Sequence, residues 1–305
     1  MLTLADLNIA VFEGGPGSER EVSLRSSVNV AGWLREAGAR CVTTVDVRDE
    51  HFDLPAGTNL VFNCIHGTFG EDGGVQAVLD ARGIHYTGEG QAGSRLAFDK
   101  VSSKKRFTEH GVPTPEYEVI RVGQRPSLPL PIVIKATREG SSVGVCLVHR
   151  EEEISPALEE VAKYGDEILI ERLISGHELT VGVVGDLALP IIMIKPREGF
   201  YDFKNKYPWS NPAGAADHFC PAPLPVDVTE KVQRIALAAH RALGLETYCR
   251  VDLLLDENDE PYVLEANTIP GMTESSLLPE AARAVGITPP QLCERIVQLS
   301  LARYR

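Results

Sequence analysis

The stretch RVDLLLDENDEPYVLEAN, residues 250–267, leaves the chain little choice of conformation. Two runs rich in Val and Leu flank DENDE, a turn-forming segment, so the stretch reads as a β-hairpin. With the turn centred on Asn258-Asp259, Asp252 lies opposite Glu265 and Arg250 opposite Asn267. Side chains two apart share a face, so all four point to one side at the open end of the hairpin. Facing carboxylates repel, and a carboxylate ending a buried strand costs free energy unless something pairs with it. The oxygen donors Asp252, Glu265 and Asn267 suit Mg2+, which completes its shell with water and substrate phosphates. An exposed edge of solvated acids is the other reading of the same residues.

Upstream, strands and helices alternate. NIAVF (8–12) precedes Gly14-Gly15 and an amphipathic helix from about Glu19 to Ala37. Strands follow at 41–47 and 60–67, and a helix at about 74–82. That order predicts an open α/β domain with a parallel sheet over residues 1–95. It places EGGPGSERE and HGTFGEDGG at the carboxyl ends of the strands, where such sheets bind ligands. Residues 96–180 read as a small antiparallel α+β module: a helix at 98–110, the strands IVIKA and VGVCLVHR, a helix near 151–163, then EILIERL and ELTVGVV. Residues 181–305 form a third, α+β unit. Within it, 197–225 lacks periodicity, and so long a loop in a compact protein is commonly a functional lid.

A formal net charge of −13 over 305 residues argues against general nucleic-acid or anionic-membrane binding. A small anion held by converging Lys and Arg remains compatible with it. The six cysteines are scattered without a C-x-x-C pair, which predicts free thiols rather than a disulfide framework or zinc site. No apolar run approaches the roughly 20 residues needed to span a bilayer, and no leader is recognisable, so a cytoplasmic protein is expected.

Between two apolar strands, REGSSVG (138–144) is a small-residue hairpin tip that either simply turns the chain or lets backbone N–H groups approach phosphate. It is not a Walker A loop, since no Gly-Lys-Ser/Thr is present. Lys135, inside the preceding strand, calls for an anion nearby. The dinucleotide fingerprint fails after the first strand, because Arg20 stands where a third small residue is needed. Glu19 could complement a helix dipole or face a ligand ammonium. His66 and Glu71 are equally ambiguous, as are Glu171 and Glu178 beside apolar strands.

Taken together, GGPGSEREVSLRS, HGTFGEDG, IVIKATREGSSVG, ERLISGHELTV, YDFKNKY, RVDLLL and EANTIPGMTESSLLP strongly resemble the D-alanine–D-alanine ligase family of the ATP-grasp superfamily, in the same order and over essentially the whole chain. EREVS and EANTIPGMTESSL are the most specific of these. The resemblance implies an ATP-grasp fold and ATP-dependent joining of two D-alanines through a D-alanyl phosphate, for peptidoglycan precursor synthesis. It implies two Mg2+ ions, replaceable by Mn2+, on Asp252, Glu265 and Asn267. Lys100 and Lys135 would hold the ATP phosphates, with Ser141 and Ser142 closing over them. Glu171 and the Leu173 backbone would meet adenine, and Glu178 the ribose. Glu19 and His66 would orient the first D-alanine. Lys206 and Tyr207 would sit on the lid, Tyr207 linking to Glu19 and Ser141. Arg250 and the Gly271 N–H would form the oxyanion hole, and Ser276 with the Leu277 N–H would hold the second D-alanine's carboxylate. A homodimer is expected, as is common in the family.

Departures from the family pattern are Phe203 where Tyr is common, Ala136 where Pro usually follows the lysine, and a lengthened PWSNPAGAADH segment. Relatives that form depsipeptides tend to carry a His-bearing lid. Lys206-Tyr207 therefore favours D-alanine over D-lactate as the second substrate. An ATP-grasp ligase for other D-amino or hydroxy acids is the nearest alternative.

Overall fold

Short buried apolar strands set the framework of the computed structural model, which describes residues 3–195 and 216–305. The first unit is a three-stranded parallel sheet of β1 (Asn8–Gly14), β2 (Cys41–Val47) and β3 (Leu60–Asn63), in the order β2-β1-β3. Helix α1 (Arg20–Glu36) makes the first crossover, and α2 (Gly74–Ala81) and α3 (Gln91–Phe98) follow the sheet. Ile9 to Phe12 are all buried because both faces of β1 are covered. Ala10 and Phe12 pack with Val61, Val75 and Leu79. Ile9 and Val11 pack with Val30 and Leu34 of α1. After β1, Arg20 reaches back over Gly14 to Asp46 at the end of β2 (2.7 Å).

The second unit is an antiparallel sheet ordered β4-β7-β5-β6, from β4 (Tyr117–Arg121), β5 (Ile132–Ala136), β6 (Val145–Val148) and β7 (Glu167–Arg172). Ile132, Ile134, Ile168 and Ile170 face helix α5 (Ile154–Val161). The alternate residues Val133, Lys135 and Glu171 look into a cleft.

The opposite wall of the cleft is the largest sheet. It runs β11 (Asp217–Phe219), β10 (Ile192–Lys195), β8 (Gly176–Val184), β12 (Tyr248–Asp256), β13 (Pro261–Asn267), with β9 (Leu187–Ala188) paired to β8. Helix α6 (Val226–Ala242) covers its far face through Val232, Ala236 and Ala239 against Val181, Val251 and Leu253. Helices α7 (Leu277–Ala284) and α8 (Pro289–Ala302) close the chain.

Two expectations need correction. ELTVGVV belongs to β8 of the largest sheet and not to the small one, and the expected boundary at 180 falls inside that strand. The apolar residues of β8 mark it as a buried strand but do not name its partner: it is buried on both faces from Thr180 to Val184 and pairs with β12 along all nine residues. The helix expected at 98–110 is α4 (Lys100–Glu109), capped by the side chain of extended Asp99 through the Ser102 N–H (2.8 Å), and α3 just before it carried no expectation of its own. Finally, α7 and α8 pack into the core of the first unit, with Leu277, Leu292 and Ile296 joining Ile9 and Leu34.

No helix among the described residues is long and apolar enough to cross a membrane. All six cysteines are free, with Cys64, Cys249 and Cys293 buried and Cys41 exposed. Of the expected lid, Phe203, Lys206 and Tyr207 lie outside the described residues.

Candidate active site

The hairpin register predicted from the turn holds where it matters. Arg250 faces Asn267 and Asp252 faces Glu265, and a bulge at Leu264 shifts the pairing by one from Leu253 onwards. Leu264 and Glu265 consequently both line the inter-sheet cleft. Each carboxylate has a cationic partner. Arg250 clasps Asp252 through Nε (2.9 Å) and Nη2 (2.7 Å), and the Thr180 hydroxyl donates to the same Asp252 (2.7 Å). Lys100 reaches Glu265 at 2.9 Å and donates to the Glu139 carbonyl at 2.8 Å. Burial alone would lower the Lys100 ammonium, but the Glu265 carboxylate outweighs it and the pKa is raised.

Glu19, the residue before α1, is buried, and its carboxylate accepts a hydrogen bond from the Ser141 hydroxyl. The Gly-Ser tip of the small sheet is thus tied to the first unit. A Cβ at Gly140 would stand 2.5 Å from Glu19 Oε2 and one at Gly67 2.8 Å, so a side chain at either would have to displace the Glu19 carboxylate. Ser141 (φ 51°) and Ser142 (φ 60°) are left-handed, a conformation worth roughly 1–3 kcal/mol of strain per residue and characteristic of functional loops. Ala136 donates its N–H to the Gly144 carbonyl at 2.8 Å, closing the base of this tip, a bond that the more usual Pro could not make.

His66 is buried beside Glu71 (3.6 Å), and its Nε2 is 3.3 Å from the Ser26 hydroxyl. Ser26 in turn accepts the Met272 N–H at 3.1 Å. Burial raises the Glu71 carboxyl, offset in part by His66. Adjacent to Met272, the Gly271 N–H has no acceptor among the described residues. Asn267 Oδ1 accepts the Ile269 N–H (3.0 Å), which shapes the turn. Ser276 precedes α7, and its Oγ accepts the Thr273 N–H at 2.9 Å. The Leu277 N–H opens that helix, where the dipole favours an anion.

Glu19, His66, Lys100, Ser141, Arg250, Glu265, Asn267, Gly271, Ser276 and Leu277 line one cavity. A second cavity of about 550 Å³ between the two antiparallel sheets shares Lys100, Glu139 and Glu265 with it. Lys135, Ser142, Glu171, Leu173, Glu178 and Asp252 line this cleft, with Val133, Leu147, Met193, Leu254 and Leu264 as an apolar lining. Its size and mixture of apolar walls with few charges suit a nucleotide-sized ligand. Leu173 gives its N–H to the Pro131 carbonyl (3.1 Å), whereas the next N–H, of Ile174, has no acceptor among the described residues.

Sequence reasoning missed Lys104, which is 1% exposed and paired with Glu171. It also missed His218, which lines the first cavity and bonds Glu280 at 3.0 Å. Lys104 was visible only as a helix residue four after Lys100. His218 carried no local signal.

Two antiparallel sheets facing across a charged cleft, with a separate parallel α/β unit closing one end, define an ATP-grasp ligase fold. The D-ala D-ala ligase C-terminus model matches residues 106–298. The D-alanine–D-alanine ligase of Methylacidiphilum infernorum is 46% identical over 298 residues, covering 98% of this chain and 97% of the relative. That of Bordetella avium is 40% identical over 309 residues, covering 97% and 96%. Among solved structures, Bacillus anthracis D-alanine–D-alanine ligase superimposes with TM-score 0.84 at 31% identity, covering 97% of this chain and 98% of that one. Its complex with ATP superimposes with TM-score 0.81 at 29% identity, with the same coverage. The chain belongs to the D-alanine–D-alanine ligase family.

Proposed function

We propose that this protein joins two D-alanines into D-alanyl-D-alanine, consuming ATP and releasing ADP and phosphate through a D-alanyl phosphate, to supply peptidoglycan precursors in the cytoplasm. The observation that carries this reading is the meeting of Glu19, Arg250, Gly271 and Ser276 in one cavity that opens past Lys100 onto the nucleotide-sized cleft. These residues come from chain segments far apart, and together they match an amino acid's two ends and a reacting carbonyl.

In this reading Glu19 holds the first D-alanine by its ammonium, with His66 behind it. The substrate carboxylate then lies towards Lys100. Lys100 and Lys135 draw the terminal phosphates of ATP to that carboxylate, and the Ser141-Ser142 tip covers the transferring group. In the cleft, Glu171 accepts a hydrogen bond from the adenine amino group, Glu178 takes the ribose, and the backbone N–H offered to the base edge is that of Ile174, next to Leu173. The Leu277 N–H and Ser276 hold the second D-alanine's carboxylate, which directs its amine at the acyl phosphate. Arg250 and the Gly271 N–H face the oxygen that becomes negative in the tetrahedral intermediate, and phosphate then leaves. Lys206 and Tyr207 close the site in this scheme and exclude water from the acyl phosphate.

Asp252, Glu265 and Asn267 would hold Mg2+, or Mn2+ in its place, as two ions. The donor set fits, since it is all oxygen and already demands positive charge from Lys100 and Arg250. Among the described residues no cluster of three His, Cys, Asp or Glu forms a cage by itself, which suits an ion that arrives with substrate phosphates. Bound there, Mg2+ supplies neutralisation of charge on the transferring phosphoryl oxygens. We take the working form to be a homodimer.

The test is phosphate release with ATP and Mg2+ in the presence of D-alanine, L-alanine, or D-alanine with D-lactate, with product masses measured. Release with D-alanine alone and the dipeptide mass support the reading. Arg250→Ala should lower kcat by about 10²–10³, the range for loss of an oxyanion donor. A D-alanyl-D-lactate product at neutral pH would favour the depsipeptide alternative.

A further inference from the structure

Lys104 lines neither cavity, yet it is one of the least exposed charged side chains in the protein. It comes from α4 and reaches one oxygen of Glu171, while Lys135 from β5 takes the other. Its ammonium also donates to the Thr114 hydroxyl (2.7 Å), and the Thr114 hydroxyl donates to the Val263 carbonyl (2.8 Å) on the opposite sheet. The Tyr117 ring, in register with Glu171 on β4, lies 5.8 Å from the Lys104 nitrogen. The lysine is therefore immobilised on every side.

Two ammoniums on one buried carboxylate leave a surplus positive charge at the wall of the cleft. The surplus has a direction. Lys135 faces the cleft, where a phosphate can draw it away, whereas Lys104 cannot follow. A carboxylate as buried as Glu171 would take up a proton if left without a cation. Lys104 prevents that, and with both lysines in place the Glu171 carboxyl stays below its usual range despite its burial. Lys100 and Glu265, across the cleft, are the other charged groups within electrostatic reach of this pair.

Building on the nucleotide reading above, we infer that Lys104 is a positioning residue for base selection: it keeps Glu171 a hydrogen-bond acceptor while Lys135 engages phosphate, so that the cleft prefers a purine bearing an exocyclic amino group to one bearing a carbonyl. A protonated Glu171 could donate to the carbonyl of a 6-oxo purine. An ionised one repels it.

The experiment compares kcat/KM for ATP and for inosine triphosphate from pH 6 to 9, in the full-length protein and in Lys104→Met. The wild type should favour ATP throughout. In Lys104→Met the preference should fall by about tenfold at low pH and recover as pH rises and Glu171 ionises. Lys104→Arg should restore the preference. An unchanged ATP/inosine triphosphate ratio at every pH in Lys104→Met, even with both rates lowered, overturns the inference and leaves Lys104 a packing residue.

Should Lys104→Met not fold, Glu171→Gln and the double variant, which buries no lone charge, decide instead. Equal ratios in those two proteins support action through Glu171, and a further fall in the double variant overturns it. A wild type that ligates D-alanine equally well with both nucleotides also overturns the inference while leaving the ligase reading intact. Failure to ligate D-alanine with ATP at all would instead sink the underlying reading.

Discussion

Lys100 Nζ lies 2.9 Å from Glu265 Oε2, so the carboxylate that ends β13 is paired with an ammonium from the first turn of α4. Asp252, directly opposite it, is paired with Arg250. A divalent ion placed between the two carboxylates would compete with both cations. The nucleotide-free protein should therefore bind Mn2+ weakly, and ATP should tighten binding by at least about tenfold, because the phosphates give Lys100 another partner and the ion more oxygen ligands. Electron paramagnetic resonance of free Mn2+ with and without a non-hydrolysable ATP analogue measures this. Equal affinity in the two states would contradict it.

Gly140 is held against Glu19 so closely that a methyl group would fit only by moving the carboxylate. Gly140→Ala should push the Glu19 carboxylate off its position and part it from Ser141. The expected outcome is a rise in KM for the first D-alanine of about tenfold, with a smaller change in KM for ATP. Initial-rate kinetics with each substrate varied separately would check it, and equal rises for both would point to general damage to the loop.

Ser26 joins the first unit to the turn at Gly271 by accepting the Met272 N–H and contacting His66. Ser26→Ala leaves a buried N–H without its acceptor, at about 1–3 kcal/mol. The Gly271 N–H belongs to the same turn. Stability by urea unfolding should fall by that amount, and kcat should fall more than KM rises. A stability loss with unaltered kcat would remove Ser26 from any part in placing the turn.

His240 is buried against Cys249 (3.2 Å), and burial pushes its pKa down to about 4. Its unfolded value is near 6.5, so between those limits the unfolded chain binds the extra proton and stability rises with pH. The stabilisation is complete above about pH 6.5 and is lost as pH falls towards 4, by at most about 3 kcal/mol. Urea midpoints from pH 7.5 to 4.5 should fall accordingly. His240→Gln should be less stable at pH 7.5 but show a shallower decline.

Several site residues were legible because local chemistry left few alternatives. The turn DENDE between two apolar runs placed Asp252 against Glu265 and Arg250 against Asn267, and β12 and β13 pair in that register at their open end. The strand–helix alternation before residue 95 likewise specified a parallel sheet. Strand β8 was legible as a strand but not in its membership. Its apolar content says that it is buried, and only the nine-residue ladder with β12 says which sheet it completes.

What the sequence by itself determined is therefore local: the strands and helices with strong periodicity, the hairpin register at its open end, and the motifs that carry the family. What tertiary structure alone decided is which charges meet. Lys104 sits 67 residues from Glu171 in the numbering and Lys100 is 165 from Glu265, and no periodicity encodes such pairings. They arise because burying the apolar faces of α4, the small sheet and the large sheet brings ammonium and carboxylate groups into spaces without water. Once there, each charge must find an opposite one, since an unpaired buried charge costs far more than the order the pair requires.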